Sequence, residues 1–152
     1  MLLTAPGKGI PNIVYGINSK ELDIENSKIV SAASCTTNCI APILHVIESK
    51  YGISSGHLET VHSYTNDQNL IDNMHKKVRR GRSAAINMVI TTTGAGKAVT
   101  KVITSLEGKL TANAVRVPTP NVSLAILKLK LKKKTSVDDI NNTMKKAALK
   151  GS

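Results

Sequence analysis

The chain has 152 residues, 41% of them apolar, with no Phe or Trp and three Tyr. That suits one ordinary domain with an aliphatic core; no apolar run approaches a membrane span, and Met1-Leu2-Leu3-Thr4-Ala5-Pro6 is too short for a signal peptide. The formal charge of +11 implies attraction to anions such as phosphorylated metabolites, nucleotides or nucleic acid, while two cysteines four residues apart suit a helix face rather than a disulfide framework and make a reduced, cytoplasmic setting the default.

Residues 1–30 carry turn signals, Pro6-Gly7-Lys8-Gly9 and Pro11-Asn12, between short apolar runs such as Ile13-Val14-Tyr15. Gly7-Lys8-Gly9 invites a dinucleotide-binding reading, which fails because Asn12 stands where the third glycine belongs and no long strand precedes it. The apolar stub Ile29-Val30 then runs into Ser31-Ala32-Ala33-Ser34-Cys35-Thr36-Thr37-Asn38-Cys39, followed by Ile40, Ile43, Leu44 and Ile47 at helical spacing. This predicts strand, tight turn and a helix over 35–50, with Pro42 early in it and Gly52 past its end. Ser34, Thr36, Thr37 and Asn38 are helix-capping types. A cysteine among them faces unpaired backbone N–H groups and the positive end of the helix dipole, which favours the nucleophilic thiolate. Most free cysteines are small buried hydrophobes, and Cys39, one turn on, reads as a packed thiol of that kind. A structural Cys35 would have no use for so many hydroxyls around it.

Residues 57–64 alternate as a strand, with Leu58, Thr60 and His62 on one face. Residues 65–82 are polar and basic, with an Arg/Lys cluster from Lys76 to Arg82, and read as an excursion loop. Ile86 to Thr92 reads as a buried strand, and Gly94 to Leu106 as a helix opening on a Thr-Gly turn. Gly94-Ala95-Gly96-Lys97 is not a phosphate-cradling nucleotide loop: Thr91 replaces its first glycine and Ala98 its final hydroxyl. A backbone anion site at that helix start remains reasonable. Leu110 to Val117 and Val122 to Leu131 are two further strands, the second alternating Leu127, Leu129 and Leu131 with Lys128, Lys130 and Lys132. Ser136 caps a last helix with Val137, Ile140, Met144 and Ala147 on its apolar face. The pattern is α+β, with a mostly antiparallel sheet and helices on one side. The run Lys128 to Lys134 reads as a solvated strand face rather than a nucleic-acid surface, because no aromatic residue interleaves it to stack on bases. A zinc site from the cysteine spacing and scattered histidines is not supported.

Ala-Ser-Cys-Thr-Thr-Asn-Cys at 33–39 resembles the active-site signature of the phosphorylating glyceraldehyde-3-phosphate dehydrogenase family. The resemblance continues, in one order, through Thr60 to Gln68, Arg79-Arg80-Gly81-Arg82, Thr92 to Val99 and Arg116-Val117-Pro118-Thr119. It implies that Cys35 adds to the aldehyde carbon of glyceraldehyde 3-phosphate. The Cys35 N–H and His62 hold the oxyanion, and His62 pairs the thiolate and carries the proton. Hydride passes to NAD, and inorganic phosphate releases 1,3-bisphosphoglycerate from the cysteine thioester. His62 is singled out by this resemblance, and His45, His57 and His75 are read as structural. The attacking phosphate maps onto Ser34, Thr36, Thr93 and Gly94. The substrate phosphate maps onto Thr65, Asp67 and Arg116, with Arg80 nearby, and Thr4 is the one cofactor contact carried over. A surface salt bridge is the ordinary state of each arginine. Arg116 stands in an otherwise apolar strand, where an unpaired charge is costly, so it favours a ligand or partner.

The resemblance also implies residues 1–30 as the C-terminal remnant of a dinucleotide-binding domain and 31–152 as a catalytic domain incomplete at its C-terminus. It implies a homotetramer for the full-length family, and no membrane or specific nucleic-acid partner. Such a partial chain is expected to lack NAD-linked activity alone. An erythrose-4-phosphate dehydrogenase shares the cysteine signature, but Thr65 and Thr93-Gly94-Ala95 favour the glyceraldehyde enzyme. A cysteine hydrolase lacks an identifiable orienting Asn or Asp, and a non-enzymatic basic binding module would show salt-dependent oligonucleotide binding without thiol reactivity.

Overall fold

The computed structural model describes residues 1–23 and 25–150. In chain order the elements are β1 (Leu2–Leu3), β2 (Val30–Ser31), α1 (Cys35–Tyr51), β3 (Ile53–Ser63), β4 (Val89–Thr91), α2 (Ala95–Val102), β5 (Leu110–Val117), β6 (Ser123–Leu131) and α3 (Val137–Lys150), with short 3-10 turns at Ser19–Glu21, Val78–Gly81 and Thr104–Leu106. This is the expected α+β class. Strands β1 and β2 pair in parallel, Leu2 opposite Val30 and Leu3 opposite Ser31. The larger sheet has the order β4-β5-β3-β6, with β4 antiparallel to β5.

The chain divides into two compact units. One comprises Met1–Gly56, Ala95–Leu110 and the chain from Leu129 onward; the other comprises His57–Gly94 and Thr111–Lys128.

The first unit is built around α1. Ser34 caps it, and Gly52 ends it in a left-handed conformation (φ 68°), where a Cβ would be strained; the Gly52 N–H closes on Glu48 O at 3.0 Å. Ile40, Ala41, Leu44, Ile47 and Tyr51 recur at helical spacing and are buried. Ile43, expected beside them, is 37% exposed. On α2 the buried positions are Ala95, Gly96, Val99 and Val102, and Ile103 and Leu106 extend this apolar face beyond the helix. The expected helix to Leu106 is therefore an eight-residue α-helix followed by a 3-10 turn. Helix α3 is capped as expected, Asp139 N–H donating to Ser136 Oγ at 3.2 Å. Its docking is polar: the buried Tyr51 hydroxyl reaches Asp139 Oδ2 and Thr143 Oγ1 at 2.8 Å each, and Lys50 Nζ reaches Asp139 Oδ1 at 3.1 Å. Val137, expected on the buried face, is 75% exposed, whereas Thr143 is buried within this network.

In the second unit Leu58, Ala84, Val89 and Ala114 are buried. The 65–82 segment is a loop as expected, yet an ordered one. Its two limbs bond to each other through Asn69 N–H to Arg80 O (3.3 Å), Asn73 N–H to Gly81 O (2.9 Å) and Ala84 N–H to Asn69 O (2.9 Å). The buried strand expected over Ile86–Thr92 is corrected: only Val89–Thr91 pairs, and Ile86, Met88 and Ile90 are exposed at 79%, 73% and 59%. A strand at a sheet edge with one face open cannot bury alternate residues, whatever their hydropathy.

Candidate active site

The first unit presents a cysteine at a helix start. Ser34 Oγ accepts from Thr37 N–H at 3.1 Å and lies 2.7 Å from Thr37 Oγ1, so one cap is satisfied twice. Cys35 is the first residue of α1 and is exposed; its Sγ lies 3.9 Å from Thr36 Oγ1. Cys39 is exposed as well, which corrects its reading as a packed thiol. The turn before the helix is strained. Ala33 has φ 58°, a region that costs a non-glycine residue of order 1–3 kcal/mol. Ser31 holds it there. Fully buried, Ser31 donates from Oγ to Ala5 O (2.6 Å) and accepts from Ala33 N–H and Gly7 N–H (3.0 Å each). From the other side Asn38 Nδ2 donates to Ala32 O (2.7 Å) and Ser34 O (2.9 Å). Thr4 is exposed.

The second unit gathers His62, Thr65, Asp67, Arg80 and Arg116. The turn 65–68 closes reciprocally: Gln68 N–H donates to the backbone Thr65 O (3.0 Å), and Thr65 N–H to Gln68 Oε1 (3.2 Å), the second contact being the Gln half of a capping box. Thr65 Oγ1 donates to Asp67 Oδ1, and Arg80 Nη1 pairs with Asp67 Oδ2. Arg80 is 6% exposed, and its Nε and Nη2 donate to Thr91 Oγ1 (3.0 Å) and Thr92 O (3.1 Å). Burial and then the neighbouring Arg116 cation hold Arg80 below the ordinary guanidinium range, though it stays charged. Arg116 Nη1 lies 2.7 Å from His62 Nδ1 and 2.9 Å from Ser63 O. Arg80 and Arg116 are close enough for one cation to act on the other, and guanidinium forks of this kind suit an anion. Thr93 is half-buried, and Gly94, just before α2, is exposed with open space where a Cβ would stand.

His57 bridges Thr111 Oγ1 (2.7 Å) and Asn113 Oδ1 (2.6 Å), a structural use in keeping with its reading. Sequence reasoning missed Ser31, Asn38 and Gln68 as residues that position others. The Thr65-to-Gln68 spacing carried a capping-box signal; the buried Ser31 hydroxyl carried none.

Residues 34–151 match the family described as glyceraldehyde 3-phosphate dehydrogenase, C-terminal domain. The chain belongs to this family. It is 59% identical over 150 residues to a glyceraldehyde-3-phosphate dehydrogenase-like protein of Pseudomonas aeruginosa, covering 98% of this chain and 32% of that one. It is 50% identical to the chloroplastic glyceraldehyde-3-phosphate dehydrogenase A of Scenedesmus vacuolatus over 97% of this chain and 48% of the relative. To glyceraldehyde-3-phosphate dehydrogenase 2 of Bacillus subtilis it is 48% identical, over 97% of this chain and 44% of the relative. The chain thus spans between about a third and a half of the length of these dehydrogenases. Among the described residues no helix is long and apolar enough to cross a membrane, and no three His, Cys, Asp or Glu side chains gather as metal ligands.

Proposed function

We propose that this chain carries the nucleophile and anion-binding residues of a phosphorylating glyceraldehyde-3-phosphate dehydrogenase. The observation that supports this most is the exposed Cys35 thiol in the first turn of a Ser34-capped helix, in a chain of that family. Cys35 Sγ attacks the aldehyde carbon, forming the C–S bond, and the oxygen that gains charge takes a hydrogen bond from the Cys35 N–H. His62 moves the proton. Thr65, Asp67 and Arg116 hold the substrate phosphate, and Arg80 acts through Asp67, to which it is paired. Ser34, Thr36, Thr93 and Gly94 are donors to the attacking phosphate. NAD, when bound, would supply the hydride acceptor that turns the Cys35 adduct into a thioester. The attacking phosphate then adds to the thioester carbon, the C–S bond breaks, and Cys35 leaves as thiolate.

Residues 1–34 do not fit a dinucleotide cradle. The Gly7 N–H is taken by Asn12 Oδ1 (3.1 Å) and Ser31 Oγ (3.0 Å), and no α-helix precedes α1 among the described residues. We therefore assign no residue to hydride transfer and only Thr4 to the neighbourhood of NAD. In this reading residues 1–30 are the end of a dinucleotide-binding domain, 31–152 are catalytic-domain chain, and the protein works in the cytoplasm as a homotetramer. The exposed Leu70, Ile71, Met74, Val78, Ile86 and Met88 support assembly as apolar surface for other subunits to cover. Joined to the dinucleotide-binding half of a relative, the chain is expected to form NADH from glyceraldehyde 3-phosphate, phosphate and NAD, and to lose this on Cys35→Ser. NADH formed from erythrose 4-phosphate alone would move the substrate assignment to the sister enzyme. Activity that survives Cys35→Ser would end the reading.

A further inference from the structure

Three polar atoms of the second unit form one tight triangle. Arg116 Nη1 lies 2.7 Å from His62 Nδ1 and 2.9 Å from Ser63 O, and His62 Nδ1 lies 2.7 Å from Ser63 O. A guanidinium only donates, and a carbonyl oxygen only accepts. The contact with Arg116 therefore needs a bare Nδ1, whereas the contact with Ser63 O needs a protonated one. Only one of the two is a hydrogen bond at a time. While Arg116 donates to Nδ1, His62 is neutral with its proton on Nε2, and Arg116 also satisfies Ser63 O. If Arg116 turns its Nη1 to another acceptor, Nδ1–H and Ser63 O are left as natural partners.

We propose that Arg116 sets the proton position on His62, so that an anion captured by Arg116 moves the imidazole proton from Nε2 to Nδ1. This rests on the reading that Arg116 holds the substrate phosphate. The exchange runs through water: one proton leaves Nε2, one arrives at Nδ1, and the net count is unchanged. Its product is an imidazole anchored to Ser63 O with a bare Nε2, the form that acts as a base. Anion binding and the Nδ1-protonated tautomer of His62 are therefore linked and must favour each other reciprocally. Arg116 on β5 is a charged neighbour of His62, and its cation acts in turn on Arg80, which is paired with Asp67. Neutralising Arg116 with an anion also relieves its repulsion with Arg80. His62 thus becomes a base when the substrate's anionic end is seated.

The test uses the full 152-residue chain with 15N-labelled histidine and sulfate, a dianion that does not titrate near neutral pH. At about pH 8, where a histidine is ordinarily neutral, the His62 nitrogens should report a proton on Nε2 without sulfate and on Nδ1 when sulfate saturates. A His62 tautomer that sulfate leaves unchanged, while Arg116 and Thr65 amide signals shift, overturns the coupling but keeps the anion site. No sulfate-induced shift at Thr65, Arg80 or Arg116 overturns both the coupling and the phosphate-site reading.

Discussion

Ser31→Ala removes one oxygen from the interior of the first unit. Ser31 is fully buried, and its hydroxyl serves three backbone groups of chain segments far apart in sequence. The loss is unequal among them. Gly7 N–H keeps Asn12 Oδ1 at 3.1 Å, and Ala5 is exposed, so water can reach its carbonyl. Ala33 N–H is buried and loses the Ser31 Oγ bond, at the residue whose φ of 58° is already strained. An orphaned buried donor costs about 1–3 kcal/mol, and the freed carbonyl adds a fraction of that, so the expected total is about 2–3 kcal/mol. With a urea slope of roughly 1–3 kcal/mol/M for a chain of this size, the midpoint should fall by about 0.7–3 M. The assay is urea unfolding followed by far-ultraviolet circular dichroism and by Cys35 accessibility. Ser19→Ala, which loses only the exposed bond from Gly16 N–H (3.1 Å), serves as control and should stay within about 0.5 kcal/mol. A Ser31→Ala loss no larger than the control's would refute the view that this hydroxyl holds the turn before Cys35.

Gly81→Ala places a Cβ 2.3 Å from Asn73 O and should destabilise the second unit by more than about 1 kcal/mol, whereas Gly94→Ala, with open space and no positive φ, should change thermal stability by less than that. A well-tolerated Gly81→Ala would mean that the loop carrying Arg80 yields readily to a methyl group. Burial pushes the Glu48 carboxyl up, but the Ile53 N–H and the Lys109 ion pair at 3.1 Å more than offset it, and its pKa lies below the ordinary glutamate value. A depressed carboxylate contributes stability that is complete above its unfolded pKa of about 4.3 and is lost as pH falls through the lower folded value. Stability curves from about pH 6 to 3 should therefore be flatter in Glu48→Gln, and parallel curves would remove that assignment. Calorimetry of the 152-residue chain with NAD should show no micromolar binding, and measurable affinity there would call for a cofactor site in the first unit.

Much of the fold was legible because caps and periodicity agree. The run into Cys35 carries a strand stub, hydroxyl caps and Ile40, Leu44 and Ile47 at helical spacing, so both ends of α1 were foreseen within a residue. The 86–92 segment was not, because its apolar residues say nothing about which face another element covers; Ile86, Met88 and Ile90 face out. Thr143 was passed over for Val137 because a hydroxyl counts as polar until Tyr51 and Lys50 are seen to meet it. The resemblance named the residues of the candidate site, but not their local arrangement. Nothing in the basic stretch Lys76 to Arg82 marks Arg80 as the buried member, since that follows from Asp67, Thr91 and Thr92 converging on it. The Arg116–His62–Ser63 triangle joins residues 54 positions apart and had no local signal at all.

The central claim, that Cys35 is an acyl-accepting nucleophile, can be tested without NAD. An acyl phosphate contains the bond whose formation would end the forward reaction, so a competent thiolate should attack its carbonyl carbon and expel phosphate, leaving a thioester. The chain is incubated with acetyl phosphate at neutral pH, and the acetylated residue is mapped by mass spectrometry, with hydroxylamine to release thioesters. The account predicts a single hydroxylamine-sensitive acetyl group on Cys35, absent in Cys35→Ser, with Cys39 unlabelled although it is also exposed. Equal or faster acetylation of Cys39, or labelling confined to lysines, would contradict it.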